Sequence, residues 1–354
     1  MILLAIETSC DETSAAVVEE TGDAARPWRI RSNVVASQVD IHREWGGVVP
    51  ELSARQHIRD ICGVVERALD EAGSPAFDAV AATQGPGLVG SLLVGLSFAK
   101  SLACARGVPF VPVHHLAGHI ESLVLEAGEL LTPAVVLVVS GGHTSLYVMT
   151  APGVYETLGR TRDDAAGEAY DKVAKLLHLG YPGGPVIDRL ARDGDDRAVP
   201  FPKMRLTHPD RNAPERPGRQ DFSFSGLKTA VLRHVTARRE AMGLTAADPL
   251  PPVETTNICA SFQRVVVETL LDRLFETARA RQARSVGIAG GVSANSRLRA
   301  DALSRGQALG IPVVVPAISL STDNAAMIAA AGLRRLRSGI VDGFDANAEA
   351  SLVL

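Results

Sequence analysis

The chain repeats itself at two places, and the repeat limits its fold more than any other feature. "ILLAIETSCDETSAAVVE" at residues 2–19 and "AVVLVVSGGHTSLYVMT" at 134–150 share one form: an apolar strand, a turn of small polar residues, and a second apolar strand. Helical and strand-like stretches follow each copy. Such spacing predicts a hairpin-led α/β unit built twice. A length of 354 residues also suits two domains. The pattern restarts near Thr132, so the expected domains are 1–131 and 132–354. Composition agrees: 46% of residues are hydrophobic and only 4% aromatic, which suits tightly packed helices on sheets. One segment, about 193–222, is rich in Pro, Arg and Asp and breaks the rhythm, so it reads as a surface excursion.

Several classes of function lose ground at once. The formal net charge of −4 does not advertise nucleic acid. The four cysteines (Cys10, Cys62, Cys104, Cys259) form no C-x-x-C pair and read as reduced. The first residues read as a strand rather than a signal peptide. No apolar run approaches the ~18–20 residues that span a bilayer. A cytoplasmic enzyme or binding protein, without a membrane, is expected.

"PVHHLAGHIESL" places His115 and His119 four apart. An i,i+4 pair lies on one helix face with Cβ atoms about 6 Å apart, close enough to share an ion. The zinc-protease pattern H-E-x-x-H has the same spacing, but Leu116 follows His115. The general base is missing, so peptide hydrolysis is not expected. Two histidines still need a third ligand. Asp323, in "SLSTDNAAMIAAAG", stands at the start of an apolar helix, where it reads either as an N-cap or as the carboxylate of a two-histidine, one-carboxylate site.

Other stretches suit an anion or a nucleoside. The two hairpin turns (Thr8, Ser9; Ser140, Gly141, Gly142) let backbone N–H groups approach a phosphate. "GPGLVG", Gly85 to Gly90, matches a dinucleotide fingerprint literally, but the acidic residue expected about 20 positions later is absent. It reads as a tight turn with close helix packing. "AGGVSANSRL" joins a strand to a helix and offers Asn295, either to a nucleoside or within a packing turn. Asp171, Gly184 and Asp188 offer either hydroxyl ligands or ordinary caps and ion pairs, and spacing alone favours the latter. The window from Lys203 to Arg239 is lopsidedly basic, and a polyanion partner is the hypothesis it supports.

Together these pieces resemble one family, the tRNA threonylcarbamoyladenosine transferases of the bacterial TsaD type, formerly called O-sialoglycoprotein endopeptidases. The resemblance runs through "IETSCDET", "GGVVPELSARQH", "GPGLVGSLLVG", "PVHHLAGH", "VSGGHT", "GEAYDKVAKLL", "YPGGP", "FSFSGLKT", "GGVSAN" and "STDNAAMIA". It implies two tandem ribonuclease-H-like domains of the actin, sugar-kinase and chaperone-ATPase type, with a cleft between them. It implies transfer of a threonylcarbamoyl group from threonylcarbamoyl-AMP to the N6 amine of adenosine 37 in tRNAs reading codons that begin with A. By the same resemblance His115, His119 and Asp323 would hold one divalent metal, Fe2+ or else Zn2+. Val138, Val139, Ser140, Gly141, Gly142, Asp171, Gly184, Asp188 and Asn295 would contact substrate. Asp11 and Glu12 would act at the reacting centre. The implied partners are tRNA, an inactive paralogue of the TsaB type and a small ATPase of the TsaE type. The alternatives are an ATP-binding protein of the same fold and a non-catalytic scaffold like the inactive paralogue. A kinase needs phosphate-bound Mg2+ rather than imidazoles, and a scaffold has no use for an intact His-His-Asp set.

Overall fold

The structure is a computed structural model that describes residues 1–203, 220–340 and 344–354. The first part of the chain forms β1 (Ile2–Glu7), β2 (Glu12–Glu20), β3 (Trp28–Ser37), a short α1 (Val39–Arg43), α2 (Pro50–Glu71), β4 (Ala79–Gly85), α3 (Val89–Arg106), β5 (Phe110–His114) and α4 (His115–Ala127). Then follow β6 (Ala134–Val139), β7 (Thr144–Ala151), β8 (Val154–Arg160), α5 (Ala166–Leu176), α6 (Gly183–Ala191), α7 (Ser225–Ala241), α8 (Pro252–Ala280) and β9 (Ser285–Ala289). After a single 3-10 turn at Gly291–Ala294 come α9 (Ser296–Leu309), β10 (Val313–Val314), α10 (Ile318–Ser321) and α11 (Ala325–Arg337).

The strands build two five-stranded sheets, in the orders β3-β2-β1-β4-β5 and β8-β7-β6-β9-β10. The orders correspond strand for strand, as the repeated hairpin predicts. In the first sheet β1 pairs antiparallel with β2 and parallel with β4, and β4 pairs parallel with β5. In the second, β6 pairs parallel with β9, Val138 opposite Ala289.

Why the strands read as unbroken apolar runs is visible in the first sheet. Successive side chains point to opposite faces, and both faces are covered. Leu3, Ala5, Ala81 and Val113 pack beneath α11, while Leu4, Ile6, Val80 and Ala82 join the cluster of α2 and α3 residues such as Ile61, Val65, Leu96 and Ala99. A sheet buried on both sides has no polar face to alternate with.

The chain divides into two compact units: residues 1–132 with 149–155 and 314–354, and residues 133–148 with 156–313. The C-terminal segment therefore differs from the expected division at 131/132. Its helix α11 is lined with alanines and lies on the first sheet. A Cβ on Gly332 would stand 2.9 Å from Leu3 Cδ2 and 3.1 Å from Ala81 Cβ, so the helix backbone approaches the strands closely. A second difference concerns α3. It is an 18-residue helix long and apolar enough for a minimal membrane span, where no such run was expected. Its Leu92, Gly95, Leu96, Ala99 and Ala103 are buried, and Leu96, Ala99 and Ala103 sit in the core cluster on the first sheet.

Leu333→Ala empties a fully buried position in the α11 cluster and should cost about 2–5 kcal/mol. The urea midpoint should fall, and hydrogen exchange should rise in β1 and β4. Increases confined to β9 and α9 would mean that α11 is built into the other unit.

Candidate metal centre and nucleotide-binding turns

α4 begins where β5 ends. His114 caps it, Nδ1 accepting from the Leu116 N–H at 3.1 Å. The next residue, His115, and His119 one turn later therefore share a face, with ring centroids 4.7 Å apart and rings nearly perpendicular. Asp323 lies just before α11. The side chain that caps that helix is Asn324, whose Oδ1 accepts from the Met327 N–H at 3.2 Å. Asp323 is thus not the cap. Its Oδ1 stands 3.6 Å from His115 Nε2 and 3.2 Å from His119 Nε2. All three residues belong to the first unit, so this set does not join the two units, which the division at 131/132 had required.

The three donor atoms lie within 4.8 Å of one another. Donors at about 2.0–2.2 Å from one ion lie roughly 3–3.5 Å apart, so the spacing suits a divalent metal. A second observation agrees. His119 is fully buried, and neither ring nitrogen makes a hydrogen bond; Nε2 is near Asp323 but off the line a hydrogen bond requires. An imidazole left so costs about 1–3 kcal/mol unless something else satisfies it. His115 is prepared from behind: Nδ1 lies 3.1 Å from Glu7 Oε2 and 3.3 Å from Ser9 Oγ. Glu7 is itself buried, accepting from Thr83 Oγ1 at 2.6 Å and from the Ser9 N–H. A carboxylate on Nδ1–H turns the Nε2 lone pair toward an ion.

In the side chains alone a proton takes the place that an ion bound by a neutral imidazole would fill. Burial works against charge on His115, but Asp323 and Glu7 outweigh it and push its pKa up to about 9. Burial holds His119 below the usual imidazole range in spite of Asp323, and the His115 charge adds to that. Glu7 stays below the usual carboxylate range; burial opposes this, and His115 overcomes it.

Asp11 and Glu12 occupy the turn into β2. Burial, then the Asp11 charge, then Asp323 push Glu12 well above the usual carboxylate range. Gly87 of "GPGLVG" packs on this hairpin: a Cβ there would stand 2.7 Å from the Ser9 carbonyl oxygen. The glycines of that string serve close packing, as their lack of a distal acid suggests.

The remaining expected residues lie in the second unit. β6 and β9 are parallel neighbours, so the Ser140–Gly142 turn after Val138 and Val139 and the turn ending at Asn295 leave the sheet at the same end. They touch through Gly290, whose φ is +92° and where a Cβ would stand 2.5 Å from the Val139 carbonyl oxygen. Gly141 and Gly142 are exposed, and their N–H groups make no hydrogen bond among the described residues. Asn295 Oδ1 caps α9 at Leu298 N, 2.9 Å, while Nδ2 donates to Gln263 Oε1 at 2.8 Å. Asp188 accepts from Gln263 Nε2 (3.2 Å), from Ser296 Oγ (2.9 Å) and N (3.2 Å), and from Arg192. Asp171 accepts from the Gly183 N–H at the start of α6, 2.7 Å, beside Gly184. Asp171 and Asp188 thus do the capping and pairing that their spacing favoured.

Sequence reasoning missed Glu7, Thr83 and Gln263, although a carboxylate ending an otherwise apolar strand was a signal. The basic window is less free than expected. Lys203 is held by Glu268 and Asp272, Lys228 by Asp164 and Arg238 by Glu254, and Arg239 is buried on backbone carbonyls. Arg233 is exposed. Residues 204–219 of the window and of the 193–222 excursion lie outside the described residues.

Comparison with known proteins resolves the family. The sequence pattern described as "TsaD: tRNA N6-adenosine threonylcarbamoyltransferase" matches residues 29–330. The chain belongs to that family. It is similar to proteins named tRNA N6-adenosine threonylcarbamoyltransferase: 50% identical to one of Anaeromyxobacter dehalogenans (strain 2CP-C), over 98% of each chain, and 52% identical to one of Synechococcus sp. (strain JA-3-3Ab), over 94% of this chain and 86% of the relative. Among solved structures, full-length HypF in its phosphate- and nucleotide-bound form matches 96% of this chain and 56% of its own at a TM-score of 0.58 and 12% identity, which shows a shared fold. The fold is the tandem ribonuclease-H-like pair that the TsaD resemblance implies. The family's matched span contains His115, His119 and Asp323, while Asp11 and Glu12 precede it.

Asp323→Ala and His119→Ala should each lose the metal on gel filtration while keeping most of the fold; full occupancy in Asp323→Ala would place the third ligand elsewhere. Glu7→Gln should weaken metal affinity about 10–100-fold, measured by competition with a chelator.

Proposed function

We propose that this protein transfers the threonylcarbamoyl group of threonylcarbamoyl-AMP to the N6 amine of adenosine 37 in tRNAs that read codons beginning with A. The observation that carries the reading is full-length similarity to named transferases in a chain that keeps an intact His115–His119–Asp323 cluster. That cluster speaks against a non-catalytic scaffold. In the cytoplasm, without a membrane, the protein would work with a TsaB-type paralogue and a TsaE-type ATPase.

In the reaction the amine nitrogen bonds to the carbamoyl carbon, the bond from that carbon to the phosphate oxygen breaks, and AMP leaves with the electron pair. His115, His119 and Asp323 would hold a divalent ion, Fe2+ by family likeness or Zn2+ by donor set, which would supply Lewis-acid polarisation of a phosphoryl or carbamoyl oxygen. The residues do the rest. The N–H groups of the Ser140–Gly142 turn, after Val138 and Val139, bind the donor's phosphate. Asp171, Gly184, Asp188 and Asn295, braced through Gln263, line the nucleoside. Asp11 accepts the amine proton, and Glu12, which burial, then Asp11, then Asp323 push well above the usual carboxylate range, donates a hydrogen bond from its protonated form to developing charge. The adenosine leaves its stack in the anticodon loop to reach this centre.

Three outcomes are expected. Asn295→Ala should weaken AMP binding in isothermal titration, and unchanged affinity would remove Asn295 from the nucleoside site. Transfer should fall on the alkaline side as Glu12 loses its proton; Glu12→Gln, a permanent neutral donor, should keep most of the rate and flatten that limb. An inactive Glu12→Gln would make the ionised carboxylate the working form. Arg233→Glu should lower the salt slope of tRNA binding by roughly 0.7–0.9 and leave donor affinity alone; an unchanged slope would make this part of the window a solvated face.

A further inference from the structure

The stretch "GGVVPELSARQH" takes no part in the metal centre or the glycine turns. It nevertheless puts polar side chains beneath the Cys10–Glu12 turn, and His42, Ser53 and His57 there are fully buried. Their hydrogen bonds run in one direction. At the entry to α2 the Val49 N–H donates to His42 Nδ1, 3.3 Å. That leaves His42 Nε2 to donate to Gln38 Oε1, 3.3 Å, which fixes the orientation of the Gln38 amide. Gln38 Nε2 then donates to His57 Nδ1 at 3.2 Å, and Thr13 Oγ1 donates to the same nitrogen at 2.8 Å. With Nδ1 accepting twice, the His57 proton is on Nε2, which donates to the Cys10 carbonyl at 3.0 Å. Ser53 Oγ donates to that carbonyl too, and the Gln38 N–H holds the Asp11 carbonyl at 2.9 Å.

We propose that His57, the last link of this relay, is a positioning residue: through the Cys10 carbonyl it fixes the peptide that aims Asp11 and Glu12. The proposal rests on the transferase reading for the task of those two carboxylates, but the orientation of the turn is a separate matter. In a loose turn the peptides on either side of Asp11 could rotate and redirect both carboxyl groups. Two donors on one carbonyl and a third on the next leave the peptide planes no freedom to do so. Ser53 is braced in turn, its Oγ 3.1 Å from Ser91 Oγ, while the Ser91 carbonyl accepts from Thr8 Oγ1 at 2.8 Å. Burial keeps His57 below the usual imidazole range, against the pull of the Cys10 carbonyl, Glu7, Asp11 and Asp60. The single-proton tautomer that the relay needs is the one burial favours.

The test compares His57→Asn with His57→Gln in the full-length, metal-loaded protein with its partner proteins. Gln extends an amide N–H to the place of Nε2, whereas Asn reaches only the place of Nδ1. In His57→Asn the amides of residues 8–13 should exchange about tenfold faster with deuterium, while α2 is unchanged. Its kcat should fall between about ten- and a hundredfold, with donor KM and metal content kept. His57→Gln should restore most of both readouts. Unchanged exchange in the turn of His57→Asn, a loosened turn with wild-type kcat, or equal damage in both variants with a lowered melting temperature would each overturn the proposal. If the wild type shows no transfer, the transferase reading fails and the exchange measurement alone decides whether His57 fixes the turn.

Discussion

The first unit depends on one buried charge. Glu7 ends β1 with no exposure to solvent, and taking a carboxylate out of water costs several kcal/mol unless its oxygens are answered. Here Thr83 from β4, the Ser9 amide from the hairpin turn and His115 from the start of α4 answer it. Three chain segments must therefore meet at the end of one strand. The imidazole that answers Glu7 also turns its other nitrogen toward Asp323. The same side chain that neutralises a buried acid thus draws the start of α11 to the sheet.

Close approach of α4 and α11 makes this geometry reachable. A Cβ on Gly118 would stand 2.8 Å from Ile328 Cδ1 and 3.2 Å from Met327 Cγ, so a larger residue there would require the α11 side chains to repack. Near the C-terminal end of α11 the same two helices are joined again. Arg334 grips Glu121 through two hydrogen bonds of 2.6 and 2.8 Å and reaches Glu129 at 2.8 Å, while Trp28 donates to Glu121 at 3.1 Å. A bidentate pair this buried resists sliding as well as separation. The candidate ligands His115 and His119 on α4 and Asp323 just ahead of α11 are thus held by two helices tied together along their length.

Much of this was legible from residues. The repeated hairpin gave two matching sheets because apolar runs buried on both faces leave a plain mark in sequence. The histidine spacing gave a shared helix face because 3.6 residues per turn is a fixed property of the helix. Other features left no such mark. Periodicity shows that α11 is buried but not which sheet it covers, so the boundary at 131/132 left it with the wrong neighbours. Asp323 and Asn324 are equally good capping residues in sequence, and only backbone geometry separates the cap from its neighbour. The bonds of Asp171 and Asp188 to α6 and α9 link residues up to 108 positions apart, beyond the reach of any local pattern.

The two hairpin turns carry different groups on the same frame. Both leave their sheets at equivalent places, after β1 and after β6. The first turn carries Asp11 and Glu12, to which the proposed transfer gives the handling of protons. The second carries Gly141 and Gly142, whose N–H groups suit an oxyanion and have no proton to exchange near neutrality. Their supports differ accordingly. In the acidic turn side-chain donors of Ser53 and His57 hold the Cys10 carbonyl, and the backbone N–H of Gln38 holds that of Asp11. In the second turn the Gly167 N–H donates to the Ser140 carbonyl at 3.2 Å, a Cβ on Gly167 would stand 2.6 Å from that oxygen, and Ser140 Oγ accepts from the His143 N–H at 3.2 Å. Ser140 Oγ takes the His143 N–H and leaves those of Gly141 and Gly142 open to solvent. A turn that must present carboxylates needs its peptide planes fixed from behind, and that takes buried polar side chains.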